Sequence, residues 1–190
     1  MPYDPNKHHR RSTRLKGYDY TQEGAYFITI CTFAKQYLFG EIENDQMSLS
    51  DYGQIATDCW VKIPTHFPHI ELDEFVVMPN HMHGIIVITN SVTNVGAEHV
   101  PPSSQHTQSS TNESQIPQSK AGSLSVAIRS YKAAVTRQIN NLYHAPAEQF
   151  WQRNYHDHII RDEIALNYLR AYVVNNPASW IKDSLHVSRS

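Results

Sequence analysis

The order of hydrophobic patterns along the chain predicts an α+β fold, an antiparallel sheet covered by helices on one side. Three observations carry that expectation. The run Ala25–Phe33 (AYFITICTF) is apolar on both faces, as a central strand must be. Two further strand-like runs, Ile70–Met78 and Met82–Thr89, flank a Pro79-Asn80 pair that suits a tight hairpin connection. Between and after them lie three stretches whose apolar residues recur at helical spacing.

The elements follow in order. Residues 1–24 read as a basic N-terminal arm, with Lys7, Arg10, Arg11, Arg14 and Lys16 set against Asp4 and Asp19. After the first strand, Gly40 to Gln46 reads as a turn or short hairpin. A helix begins near Ser50, with Tyr52, Ile55, Ala56, Cys59, Trp60 and Ile63 at helical spacing, and Pro64 and Pro68 are expected to end it. Residues 91–122 are rich in Ser, Thr, Gln, Asn and Pro and nearly devoid of large apolar side chains. Such a stretch cannot bury enough surface to offset its ordering entropy, so it reads as a disordered polar insertion within a single domain spanning 25–190. Ser123 is the expected N-cap of the next helix, whose stripe runs through Leu124, Ile128, Tyr131, Val135, Ile139 and Leu142. A short strand is expected through Phe150–Trp151 or His156–Ile160. Asp162 then caps a last helix that runs to about Asn176, ahead of Pro177.

Bulk properties narrow the function classes. The formal net charge of −2 gives no overall attraction to a polyanion. The charge is nonetheless segregated: residues 41–74 carry eight carboxylates against Lys62 alone, whereas Arg129, Lys132, Arg137, Arg153, Arg161 and Arg170 lie in the C-terminal half. One acidic and one basic face would suit a nucleic-acid binder, and a solvated mixed surface explains the same pattern equally well. Cys31 and Cys59 both sit in apolar patterns, as buried free thiols in a reducing compartment would. No apolar run approaches the roughly 18–20 residues of a membrane span and no signal-like segment opens the sequence, so a soluble cytoplasmic protein with no membrane partner is expected.

Two patterns suggest chemistry. In His81-Met82-His83 the strand period of two sends both imidazoles to one face, about 6.5–7 Å apart at Cα, where they could share one divalent ion. A pair of half-exposed hairpin histidines explains the spacing as readily, and His156-Asp157-His158 repeats the pattern. On the last helix Tyr172 and Asn176 lie four residues apart and so share a face. Asn176 offers a hard carbonyl ligand for Mg2+ or Mn2+, and Tyr172 offers a phenol that a cation could activate as a nucleophile. A core role explains a helical tyrosine too, and Tyr131, Tyr143, Tyr155 and Tyr168 have comparable claims.

The combination is more specific than its parts. FVVMPNHMHGIIVI (75–88), LSVAIRSYKAAVTRQIN (124–140) and FWQRNYHDHIIRDEIALNYLRAYVVNNP (150–177), with RRSTRLKGYDYTQEGAYFITICT (10–32), resemble the single-tyrosine HUH transposases, most nearly the REP-associated tyrosine transposases. The resemblance implies a ferredoxin-like HUH nuclease fold with His81 and His83 as metal ligands, Asn176 as a polar third ligand and Tyr172 as the nucleophile. It further implies an enzyme that uses Mg2+ or Mn2+ to cut and rejoin single-stranded DNA at palindromic hairpins through a 5′-phosphotyrosine, in DNA transposition. Candidate DNA contacts are Arg10, Arg11, Arg14, Lys16, Arg129, Lys132, Arg137 and Arg153, while Trp151 would either position DNA or anchor the last strand. A non-catalytic hairpin-binding regulator domesticated from a transposase is the alternative. A monomer and a homodimer both stay open.

Overall fold

The computed structural model of the protein describes residues 18–89, 122–143 and 149–187. The basic arm with Arg10, Arg11, Arg14 and Lys16, and the polar insertion as far as residue 121, lie outside the described residues. Gly122, expected to close the insertion, belongs to the domain: its carbonyl meets the His69 Nε2 at 2.8 Å. Tyr18 and Tyr20 pack their rings on Tyr26, at 6.4 and 6.0 Å between centroids, so packing extends N-terminal of Ala25.

Four strands form the main sheet: β1 (Gly24–Cys31), β4 (Ile70–Met78), β5 (His81–Ile88) and β6 (His156–Ile160). Their spatial order is β4-β5-β1-β6, and every neighbouring pair is antiparallel. Helices α1 (Asp51–Val61) and α2 (Ile63–His66) lie between β1 and β4 in the chain, and α3 (Leu124–Tyr143) lies between β5 and β6. This is the βαββαβ ferredoxin-like arrangement. It gains a small hairpin, β2 (Gly40–Glu43) with β3 (Gln46–Leu49), and a final helix α4 (Glu163–Asn175). Asn44 and Asp45 turn the hairpin with φ of 50° and 62°, the left-handed pair that a two-residue loop matched to strand twist requires.

Register decides what faces what. Tyr26, Ile28 and Ile30 pair with Ile86, Gly84 and Met82 on one face. There they join Trp60 of α1 and Ala127, Ile128, Tyr131 and Val135 of α3 in the main core. Trp60 and Tyr131 meet edge to face at 5.2 Å. Gly84 is required beneath this pair, because a Cβ there would overlap the Trp60 indole ring. Phe27, Thr29 and Cys31 pair with Ile85, His83 and His81 on the opposite face. That face is covered by α4, so helices flank the sheet on both sides and not on one side as expected. The reason lies in the sequence of β1 and β5: strands apolar on both faces need cover twice.

Several boundaries differ from expectation for local reasons. Pro64 does not end α1. That helix stops at Val61, and Pro64 sits in the first turn of α2, where its missing N–H is not needed. Strand β5 starts at His81 and ends at Ile88, and Thr89 N–H instead donates to the His69 carbonyl. Ser123 holds the N-cap position of α3, but its hydroxyl makes no hydrogen bond, and its carbonyl accepts from Val126 and Ala127. Leu142, at the end of the α3 stripe, is exposed. Phe150–Trp151 contributes a single bridge to Thr32, so the fourth strand is His156–Ile160. Two caps are as read: Ser50 Oγ accepts from Gly53 N–H at 3.2 Å, and Asp162 Oδ1 from Ala165 N–H at 2.8 Å. Cys31 and Cys59 are free and buried, and burial pushes both thiols above their ordinary pKa.

Helix α4 buries only Val173 fully, so its docking rests on specific contacts. Arg170 grips Asp73 with both ends of its fork, Nε at 3.0 and 3.1 Å and Nη2 at 2.6 Å, and this guanidinium holds the Asp73 carboxyl below the usual range. Asp73 stands where the β4–β5 register shifts between Leu72 and Phe75. That irregularity re-aims the side chain towards α4.

Because Trp60 fills the space above Gly84, Gly84→Ala is expected to destabilise the fold by about 1–3 kcal/mol through overpacking. Urea unfolding followed by tryptophan fluorescence measures it, and an unchanged midpoint would contradict this packing.

Candidate metal and tyrosine site

The face under α4 carries the candidate chemistry. His81 and His83 are both buried, and their Nε2 atoms approach to 3.1 Å. The opposite ring nitrogens are each engaged. His83 Nδ1 lies 2.8 Å from Thr29 Oγ1, its cross-strand partner. His81 Nδ1 lies 2.7 Å from Asn80 Oδ1. The Asn80 amide can be oriented only one way, because its Nδ2 donates to the carbonyls of Leu185 (2.9 Å) and Lys35 (3.3 Å). Its Oδ1 is therefore an acceptor, the His81 proton sits on Nδ1, and the Nε2 lone pair points at His83. Burial, then the neighbouring His83, lowers the His81 pKa to about 2, and burial lowers that of His83 to about 4 against an opposing pull from Asp183. Both rings are neutral at physiological pH.

A third donor comes from beyond the last helix. A 3-10 segment, Pro177–Lys182, follows α4 and delivers Asp183, whose side chain is 3% exposed and whose Oδ2 lies 3.9 Å from His81 Nε2. One ligand atom from each of His81, His83 and Asp183 falls within 4.8 Å of the others. Asn176 borders the group: its Nδ2 donates to Asp183 Oδ2 at 3.3 Å, while its Oδ1 is buried without a hydrogen-bond partner. Facing neutral imidazoles, a carboxylate and an orphaned amide oxygen are the donor set that a divalent cation satisfies. Asp183 was not singled out from the sequence. The one available signal was that it is the last carboxylate of the chain, seven residues past Asn176.

Tyr172 enters this group from α4. Its hydroxyl lies 3.4 Å from His83 Nε2, within one chain. Its ring packs edge-on to His83 at 5.3 Å and to Phe27 at 5.9 Å, and Phe27 stacks on His83 at 5.1 Å. This triangle of rings fixes the phenol while leaving the residue 38% exposed. Burial and the Asp183 carboxylate raise the Tyr172 pKa above its ordinary value, with the Asn176 amide pulling the other way. The rival tyrosines divide. Tyr131 is buried in the main core with its hydroxyl donating to the Ala56 carbonyl. Tyr143 reaches Asp51 at the far end of α3. Tyr168 lies one turn before Tyr172, in a cleft beside it that His156 also lines.

The basic candidates are dispersed. Arg129 and Arg137 are exposed on α3, which packs on the opposite face of the sheet from Tyr172. Lys132 is committed internally: its Nζ donates to the carbonyls of Gln152 (2.6 Å) and Asn154 (3.1 Å) and lies 5.6 Å from the centre of the Trp151 ring. Burial lowers its pKa to about 8. It thus ties down the segment in which Arg153 is exposed. Trp151 anchors this segment, with its indole N–H donating to the Lys132 carbonyl at 3.1 Å. Among the described residues, no helix is long and apolar enough to cross a membrane.

No protein-family model matches the chain. A Haemophilus influenzae protein, described only as uncharacterized, is 43% identical over 189 residues, covering 97% of each chain. Among solved structures, a REP-associated tyrosine transposase bound to a REP hairpin superposes with a TM-score of 0.57 at 17% identity, over 88% of this chain and 73% of its own. The chain therefore belongs to one family with the Haemophilus influenzae protein, and its fold is that of the REP-associated tyrosine transposase.

Proposed function

We propose that the protein is a divalent-metal-dependent tyrosine transposase that cuts and rejoins single-stranded DNA at hairpin sites through a 5′-phosphotyrosine intermediate. The observation that carries this reading is the approach of the Tyr172 hydroxyl to within 3.4 Å of His83 Nε2, at the edge of the His81–His83–Asp183 group. The transposase whose fold this chain shares was solved with a REP hairpin, which supports DNA hairpins as the partner.

His81, His83 and Asp183, with Asn176 Oδ1, would hold Mg2+ or Mn2+. Bound there, such a cation supplies positive charge to a phosphate oxygen and favours loss of the phenolic proton. The chain's own groups supply position. Phe27 and His83 hold the Tyr172 ring, so its oxygen faces the phosphate from a fixed direction. The Tyr172 oxygen attacks phosphorus, the bond to the 3′ oxygen breaks, and that oxygen departs as a hydroxyl after taking up a proton. The phosphotyrosyl ester conserves the bond energy, so the same hydroxyl, or one from another strand, can reverse the step. Arg129 and Arg137 would contact phosphates away from the cleavage point, since the sheet separates α3 from Tyr172, and Arg153, Arg10, Arg11, Arg14 and Lys16 are further candidates for phosphate contact. Lys132 would serve by holding the segment that presents Arg153.

Incubating the protein with a labelled hairpin oligonucleotide and Mn2+ should yield a covalent protein–DNA band that EDTA prevents and that is lost in Tyr172→Phe. Persistence of the band in that variant would remove Tyr172 as the nucleophile. Asn80→Ala releases the His81 tautomer and should weaken Mn2+ binding by about 10- to 100-fold in calorimetry. An unchanged affinity would show that Asn80 does not set that ring. Cation binding needs neutral imidazoles, and both pKa values are depressed. Mn2+ affinity should therefore stay level from about pH 8 down to about pH 5 and fall only in stronger acid, whereas exposed histidines would lose it near their ordinary value of about 6.5. A titration repeated across that range distinguishes the two.

A further inference from the structure

An open cleft of about 430 Å3 is lined by Tyr172 and His83 and extends beyond them along α4. Its size is at the lower end of clefts that hold small flat ligands, roughly 300–1,000 Å3. Phe27 lines it from the sheet, and Tyr168, Leu169 and Tyr172 line it from α4. Thr29, His156 and Ser184 add polar groups, and among the described residues no lysine or arginine lines it. Away from the metal-ligand group, a phosphate would find no lysine or arginine among the described lining residues. A flat, uncharged, hydrogen-bonding ring would find aromatic faces and a polar edge.

Tyr168 is the telling residue. It is 71% exposed, on a helix whose next turn carries the tyrosine at the metal group. One turn earlier Ile164 is 84% exposed, so Ile164, Tyr168 and Tyr172 form an apolar ridge at four-residue spacing that leads from solvent to the histidines. Exposing large apolar side chains in a row costs solubility and gains nothing for the core, which lies on the other face.

We propose that this cleft is a nucleobase subsite. It accepts one unstacked base of the strand next to the scissile phosphate, with Tyr168 as the stacking platform and His156 at the base edge. The inference rests on the single-strand nuclease reading and deepens it by assigning a site to a base as well as to a phosphate. An unpaired base pays little to leave a stack, and its π-face is recognised regardless of sequence. The cleft is continuous with His83 and Tyr172, so a seated base would hold its own phosphate beside the tyrosine hydroxyl.

The test compares binding of a short oligothymidylate with binding of an abasic strand of the same length and charge, using the full chain and its Tyr168→Ala and Tyr168→Phe variants. An exposed position should tolerate both substitutions, and circular dichroism checks that they fold. Loss of one stacked base should weaken oligothymidylate binding about 5- to 150-fold in Tyr168→Ala. It should leave abasic binding unchanged, and Tyr168→Phe should bind as the parent does. Equal weakening of both strands, or of neither, overturns the subsite. The hairpin adduct assay on the same preparations separates the two readings. An adduct from the parent chain together with no base-dependent effect of Tyr168→Ala removes the subsite alone. No adduct and no strand binding by the parent chain remove both.

Discussion

Two imidazole Nε2 atoms held 3.1 Å apart, with the His81 lone pair turned towards His83, are the constraint on which the rest of this structure turns. A fold that buries two such rings together must give each ring nitrogen a partner. Here Thr29 and Asn80 engage the far nitrogens and a carboxylate stands 3.9 Å away. The surroundings also exclude water, which keeps both rings neutral. Antiparallel register makes the arrangement possible. Thr29 faces His83 because β1 and β5 pair in that frame, and a slip of one residue would send both histidines into the core against Trp60.

The histidine pair was legible because strand periodicity is rigid: two residues apart means one face. Tyr172 and Asn176 were legible for the same reason on a helix, where four residues apart means one side. What escaped the sequence lacked a period. Asp183 arrives through a 3-10 segment with no repeating pattern to place it. Asn80 read as a turn residue, and it does lie between two strands, but the bonds of its amide to Lys35 and Leu185 depend on segments 45 and 105 positions away. Phe27 was hidden by the uniformity of its strand, since a run apolar on both faces does not say which face meets the chemistry. Lys132 illustrates the opposite error. A lysine off the apolar stripe of a helix reads as solvated, and only the looping back of residues 149–155 reveals the carbonyls that engage it.

The fold assigns different tasks to different elements. Strand β5 is central, paired with β4 on one side and β1 on the other, and it carries the histidines. The tyrosine rides on a helix that follows an edge strand and is held by one Arg170–Asp73 fork, one buried valine and a few ring contacts. A rigid ligand frame facing a lightly docked helix matches a reaction in which the nucleophile must carry a strand and later release it.

The main core lies wholly on the α1 and α3 side of the sheet, whereas the histidines, Tyr172 and Asp183 lie on the other. Most of what keeps the chain folded is therefore insulated from most of what it would do to a substrate. Descendants of such a protein can drift on one surface, exchanging a ligand or muting the phenol, while the main core keeps its own packing. Architecture in this lineage should outlive any particular activity.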